Sequence, residues 1–271
     1  MKIYLFFFLL IFGIPFKNIG QTTLQASPLK KIEGNFSSFH VDGLGNLFAI
    51  TANGQLKKYN ALLDSVGVFN ELRRYGNIHS ISAGNALRTL LYFKGYRTIL
   101  VLDRLMQVVN KIDLRKGQLV QVQAVAQSYD NRIWIFDEQD NKIKKLELDG
   151  NIIFESSDLR LVFSEAIQPS VVFEFNGLLY LYDSKKGLFG FDFYGAFKSK
   201  VAILGWNDIQ VVGDKIVGLK DSKMMLYGLN PPDIKEFILP QELSRFKKLH
   251  FGLDKGFGLA DEGIETFKLN Y

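Results

Sequence analysis

Cysteine is absent from the chain. No disulfide can therefore brace the fold, and no lipid can be attached through a lipobox cysteine. Small exported domains lean on disulfides, so an exported chain of this kind has to rest on a large apolar core instead. Histidine is scarce, with only His40, His79 and His250. No Ser/His/Asp constellation, glycine-rich phosphate loop or metal-spaced cluster can be assembled from the sequence. Charge of one sign is missing too. The formal net charge is +5, and removing Lys2 and Lys17 leaves 31 basic residues against 28 acidic ones, or +3, from Gln21 onward. That balance is too slight for a nucleic-acid footprint.

What is present is apolar and β-prone. Of the 271 residues, 47% are hydrophobic and 23% charged, the profile of a chain that buries a core. The one long apolar run is N-terminal: Lys2, then Ile3 to Phe16 interrupted by Gly13 and Pro15, then a polar stretch with Gly20. This reads as a signal peptide over residues 1–20 with cleavage after Gly20. The run is shorter than the roughly 20 apolar residues of a spanning helix. Asn18, a poor residue three positions before the cut, keeps a retained anchor open. Residues 21–271 then form a single domain, periplasmic or secreted, with no stable membrane insertion after processing.

That domain repeats itself. Residues 131–153, "NRIWIFDEQDNKIKKLELDGNII", and 176–197, "NGLLYLYDSKKGLFGFDFYGAF", share one pattern: a turn, an apolar run ending in Asp, a polar turn, a second apolar run and a Gly. Four weaker copies stay in register with these. Second strands are expected to begin at Leu47, Leu90, Ile133, Leu179, Ile216 and Phe257, and third strands at Leu56, Ile99, Ile143, Leu188, Met224 and Ile264. Four short strands recurring about every 40 residues predict the blades of a β-propeller. One such sheet cannot bury both faces alone, whereas sheets packed radially cover one another. The fold class is thus all-β: a six-bladed propeller with four-stranded antiparallel blades. The chain stops after the third strand of the sixth copy, so residues 22–33 are expected to supply its outer strand and close the ring.

The Asn/Asp-plus-apolar strands ending in Asp ("NRIWIFD", "NGLLYLYD"), followed by a turn and a strand such as "NKIKKLELDG", resemble the NHL and SMP-30-like six-bladed propellers. The resemblance spans the whole mature chain and extends to uncharacterised exported bacterial propellers. The Gly-His and Trp-Asp pairs of WD40 repeats are missing. Propellers of this type include lactonases, hydrolases and pure binding modules, so the fold leaves the activity open.

Three sets of residues carry candidate functions. His40 and His250 hold the same repeat position, seven residues before the second strands of blades 1 and 6, and are expected to line the axial channel. They could form a metal- or proton-binding pair there, or simply be hydrogen-bonded core histidines. His79 falls in a connection and is expected to be exposed. SMP-30-like lactonases hold a metal with acidic and amide side chains at the channel mouth; here Asp42, Glu174, Asn207 and Asp208 are scattered, and no cofactor or metal is expected. Asp137, Asp183 and Asp261, at the ends of second strands, suit bonds to turn amides. Finally, the connections between blades repeat acid-Leu-Arg: "ELRR", "DLRK", "DLRL" and "ELSR". Arg73, Arg74, Arg115, Lys116, Arg160, Arg245, Lys247 and Lys248 could crowd one mouth and bind an anionic glycan or a protein partner. In the competing reading each Leu plugs a seam between blades and each Arg pairs with a neighbouring acid. The best functional reading is a non-enzymatic binding or scaffolding propeller of the bacterial envelope. A lactonase-like or carbohydrate-active propeller enzyme is the alternative.

Overall fold

Ile133–Asp137 is buried at all five positions, and so is Gly187–Phe191. A strand with no polar face needs cover on both sides. The computed structural model, which describes residues 22–85, 87–252 and 254–270, supplies that cover by stacking six sheets in a ring. The expected signal peptide lies outside these residues. Inner strands are Phe36–Val41, Ser80–Asn85, Val122–Gln127, Val171–Phe175, Asn207–Val212 and Lys248–Phe251. Each pairs antiparallel with the second strand of its own blade. The second strands of blades 1 and 3 begin at Leu47 and Ile133 as expected; those of blades 2, 4, 5 and 6 start one or two residues earlier than expected.

Alternating strand direction sorts the loops between two faces. Turns from first to second and from third to fourth strand share one face, here the hairpin face. Turns from second to third strand, together with the connections between blades, share the other, the connection face.

Six apolar clusters fill the six seams. Leu72, Leu114, Leu159 and Leu243, the leucines of the acid-Leu-Arg repeats, are all buried in them. Leu72 packs with Phe48 and Leu100 between blades 1 and 2, and Leu114 with Tyr92 and Ile133 between blades 2 and 3. Leu159 joins Phe136 and Leu181 in the next seam, and Leu243 joins Met224 and Phe251 between blades 5 and 6. Ile203 and Trp206 fill the seam between blades 4 and 5. The leucine of the motif is thus a seam plug, a role that sheet packing alone explains.

The sixth blade shows how tightly a seam is fitted. Gly256 and Gly258 sit in its second strand, Lys255–Ala260, beneath the stacked rings of Phe246 and Phe267, whose centroids are 5.9 Å apart. A Cβ at Gly256 would lie 2.0 Å from Phe267, and one at Gly258 2.5 Å from Phe246. Only glycine leaves room for the rings.

The N-terminal segment is divided between two blades. Thr22–Thr23 pairs parallel with Pro232–Ile238 and adds a fifth strand to blade 5. Leu24, 1% exposed, enters the seam between blades 5 and 6. Gln25–Glu33 then runs antiparallel to Gly263–Asn270 as the outer strand of blade 6. A single strand over residues 22–33 is therefore replaced by two strands hinged at a buried leucine. Pro28, which has no N–H, is accommodated because this strand is an edge.

Candidate functional site

His40 and His250 lie on the inner strands of adjacent blades and in the same register, each directly opposite a phenylalanine, Phe48 and Phe257. Each imidazole also packs against that ring, at centroid distances of 6.2 and 6.0 Å. Burial dominates both and pushes His40 down to about 4 and His250 to about 3. Lys248 lowers both further, and His40 lowers His250, so the two histidines sense each other. Lys248 itself lies over the Phe39 ring, 3.4 Å from Ser38 Oγ, with its pKa lowered by burial and partly restored by Asp208. At neutral pH this corner of the inner wall holds two uncharged imidazoles beside the Lys248 side chain.

His79 is exposed, but it is not idle. Its Nε2 lies 3.1 Å from the carbonyl of Gln123, and its ring meets Tyr92 edge-on at 5.5 Å, tying blade 2 to blade 3.

Of the scattered acidic and amide side chains Asp42, Glu174, Asn207 and Asp208, the first two are separately engaged. Asp42 accepts from the backbone N–H groups of Leu44 and Asn46 and from the Asn46 amide. Glu174 crosses a seam to accept from Ser128 Oγ at 2.6 Å, the Tyr129 N–H at 2.8 Å and the Trp134 indole. Asn207 and Asp208 are exposed on blade 5. Among the described residues no three His, Cys, Asp or Glu side chains gather as a metal-ligand group. Asp137 and Asp183 do bond turn amides, those of Gln139 and Lys185, and Asp137 also holds the buried Lys144 at 2.7 Å. Asp261 differs: it is exposed and pairs with Lys247.

The arginines divide sharply. Arg115 grips Asp113 through two bonds of 2.8 and 2.6 Å, which hold that carboxyl at about 2. Arg160 grips Asp158 in the same way, at 2.9 and 2.7 Å. Arg245 turns away from Glu242 and takes both oxygens of Glu265, at 2.9 and 2.5 Å. Arg74 is 3.6 Å from Glu71. Lys116 is exposed beside Arg115, and Lys248 belongs to the inner-wall corner. Arg115 follows the outer strand of its blade by two residues and is bonded to that strand's last residue, so it stands at the rim and not at the channel. Arg73 alone among the four motif arginines has no carboxylate partner among the described residues. It lines an open cleft of about 250 Å³ with Asn53, Gly54, Gln55 and Asn70.

The hairpin face carries a repeat that the sequence reading passed over. In seven of its turns an Asp or Asn accepts the backbone N–H two residues on, at 2.8 to 3.2 Å, and in five of them the donor is Leu or Tyr: Asp42 to Leu44, Asn60 to Leu62, Asn85 to Leu87, Asp103 to Leu105, and Asp192 to Tyr194. The bond fixes the turn and aims the side chain two residues on at solvent. These five side chains range from 51% exposed at Leu105 to 88% at Tyr194, and Tyr129 joins them at 72%. The turn chemistry asks for nothing apolar there, since the equivalent turn of blade 3 uses Asn151 after Asp149. The readable signal was the spacing Asx-x-Leu/Tyr, as in "DGL", "NAL" and "DRL".

No protein-family model matches the chain, and no curated protein matches it. Solved structures do. A virginiamycin B lyase from Staphylococcus aureus is 12% identical, with 88% of this chain and 81% of that one covered, at a TM-score of 0.56. The Pan2 WD40 domain of Neurospora crassa is 13% identical, covering 87% and 79%, at 0.57. A protein of Bacteroides fragilis provisionally described as exported is 9% identical, covering 91% and 95%, at 0.57. A likeness shared by lyases and a WD40 domain shows the propeller architecture and does not select the NHL or SMP-30-like subtype.

Proposed function

We propose that this chain is an exported, non-enzymatic binding propeller of NHL-like build that docks a protein partner on its hairpin face. The observation that supports this most is the array of Leu44, Leu62, Leu87, Leu105, Tyr129 and Tyr194, held outward on blades 1 to 4. Burying one such side chain fully is worth about 1.5–3 kcal/mol. Isolated exposed leucines, such as Leu161 on the connection face, need no explanation, but an array repeated at equivalent turns of neighbouring blades is the mark of an interaction surface. Tyr and Leu tips around Asx-fixed, rigid turns lose little conformational freedom on docking. On the inner wall, by contrast, Glu174 and Gln210 are spent on ties between neighbouring blades.

The test is site-specific photo-crosslinking in the native cell, with the photoreactive residue at Leu87 or Leu105 and, for comparison, at the exposed Leu161 of the connection face. Discrete adducts with one protein from the two hairpin-face positions and none from Leu161 are expected. The same adducts from all three positions, or none at all, would remove the docking face.

A further inference from the structure

We propose that the groove crossing the second-to-third strand turn of blade 1 binds an acidic oligosaccharide, with Arg73 holding a sugar carboxylate and Asn53, Gln55 and Asn70 reading hydroxyls. This extends the reading of the chain as a binding propeller and uses the face opposite the apolar turn tips.

Arg73 is set apart from its repeats by its surroundings. Arg115, Arg160 and Arg245 each spend both arms of the guanidinium on a carboxylate. The acid of the first repeat, Glu71, lies instead toward Arg74. Arg73 is thereby left with its planar fork unengaged beside a cleft that contains no carboxylate and no aliphatic side chain. A fork of this kind matches a carboxylate through two parallel bonds.

The rest of the lining is amide. Asn53, Gln55 and Asn70 surround the cleft, and a second cleft of about 300 Å³ shares Asn53 and Gln55 and adds Asn35 and Lys57. The two together make one groove with four side-chain amides and two cations against a single acid, Glu33. An amide offers a donor and an acceptor side by side, the complement of the hydroxyls of a sugar ring. Asn53 Oδ1 already accepts from Thr51 Oγ at 2.5 Å, which fixes the amide and leaves its NH₂ to donate. Gly54, at φ +82°, keeps the tip of the turn low; a Cβ there would stand 4.0 Å from Arg73 Cγ and narrow the cleft. An acidic peptide could supply the carboxylate as well, but Phe36 and Ala52 are the apolar side chains of the lining beside four amides, a set that matches hydroxyls better than a peptide's side chains.

Calorimetric titration with trigalacturonate, a neutral glucose trimer and tetraglutamate decides the matter. The proteins are the wild type, Arg73→Gln, the double variant Asn53→Ala/Gln55→Ala, and Arg115→Gln as the rim control. Trigalacturonate is expected to bind the wild type and Arg115→Gln alike. It should bind Arg73→Gln about tenfold or more weakly, as loss of a charge-assisted pair requires, and the double amide variant should be weakened as well. Equal binding to Arg73→Gln and wild type, no binding to the wild type, or tetraglutamate binding as tightly as the uronate, would each overturn the proposal. Crosslinking at the turn tips reports on the opposite face. Adducts there without uronate binding would remove the groove and leave the docking face. Arg73-dependent uronate binding without adducts would do the reverse.

Discussion

Lowering the pH from 7.5 to 5.0 should cost this propeller about 4 kcal/mol of folding stability, nearly all of it through two histidines. A histidine whose pKa is lowered on folding is protonated more readily in the unfolded chain. Stability is then fully present above the unfolded value near 6.5 and is lost as the pH falls from there toward the folded value. His40 at about 4 and His250 at about 3 both remain neutral in the folded protein at pH 5. Each unfolded imidazole, about 1.5 pH units below its pKa, gains about 2 kcal/mol from the proton it binds. The size of the loss at pH 5 depends only on both folded values lying below 5. Carboxylates do not mimic the effect. Asp113 and Asp130, both held at about 2, contribute stability that is lost only below the ordinary carboxylate range. Across this range the pH lies well below the ordinary lysine value, so Lys248 stays protonated in the unfolded chain and adds no slope from that state. Urea unfolding at the two pH values, followed by tryptophan fluorescence, measures the difference; in thermal scans it corresponds to roughly 8–16 °C for a domain of this size. His40→Gln/His250→Gln should keep only the smaller slope from His79, whose pKa burial also lowers. A wild-type loss under about 1 kcal/mol, or an equal loss in the double variant, would refute the reasoning.

Leu24→Ala should cost about 2–5 kcal/mol, the range for a leucine deleted from a filled seam, read as a shift in the urea midpoint; a shift below about 1 kcal/mol would mean that the N-terminal strands contribute no packing. Glu174→Ala strips the Trp134 indole and the Ser128 hydroxyl of their acceptor, which should cost about 2–3 kcal/mol and red-shift the Trp134 emission in the folded protein, whereas Glu174→Gln should recover part of both. Protein recovered from a periplasmic extract should begin near Gln21 by N-terminal sequencing, and intact Met1 in the membrane fraction would point to a retained anchor.

The blades were legible because their cause is local. "IWIFD" and "LYLYD" carry apolar residues on both faces of a strand, and only stacked sheets can cover both. The acid-Leu-Arg motif was equally visible, but its meaning lay in three dimensions. Its leucine is a seam plug in every copy, while its arginine finds its own acid in two copies, a distant Glu265 in one and, among the described residues, none in another. No spacing rule separates Arg73 from Arg115, because what separates them is where Glu71 and Asp113 point. The division of the N-terminal segment at Leu24 was hidden for a similar reason: the parallel partner of Thr22–Thr23 is some 215 residues away in sequence, at Phe237 and Ile238. The Asx turns were within reach, since their spacing is regular, but the exposure of their apolar tips is a property of the finished ring.

The pairing of Gln25–Glu33 with Gly263–Asn270 also imposes an order in time. Lys30 and Thr266 exchange hydrogen bonds across 236 residues of chain. Gln25–Glu33 can find its neighbour only after the chain has passed through all six blades, and closing so long a loop is the slow kind of contact. Blades 1 to 4 can assemble from contiguous sequence as they emerge, but blade 6 must remain a three-stranded sheet until the early strand joins it. During that interval the chain stays open between its sixth and first blades. Until that closure, the outer edge of Gly263–Asn270 offers unpaired backbone groups to any other strand, so the early segment also serves as the cap that keeps one copy from pairing with the next.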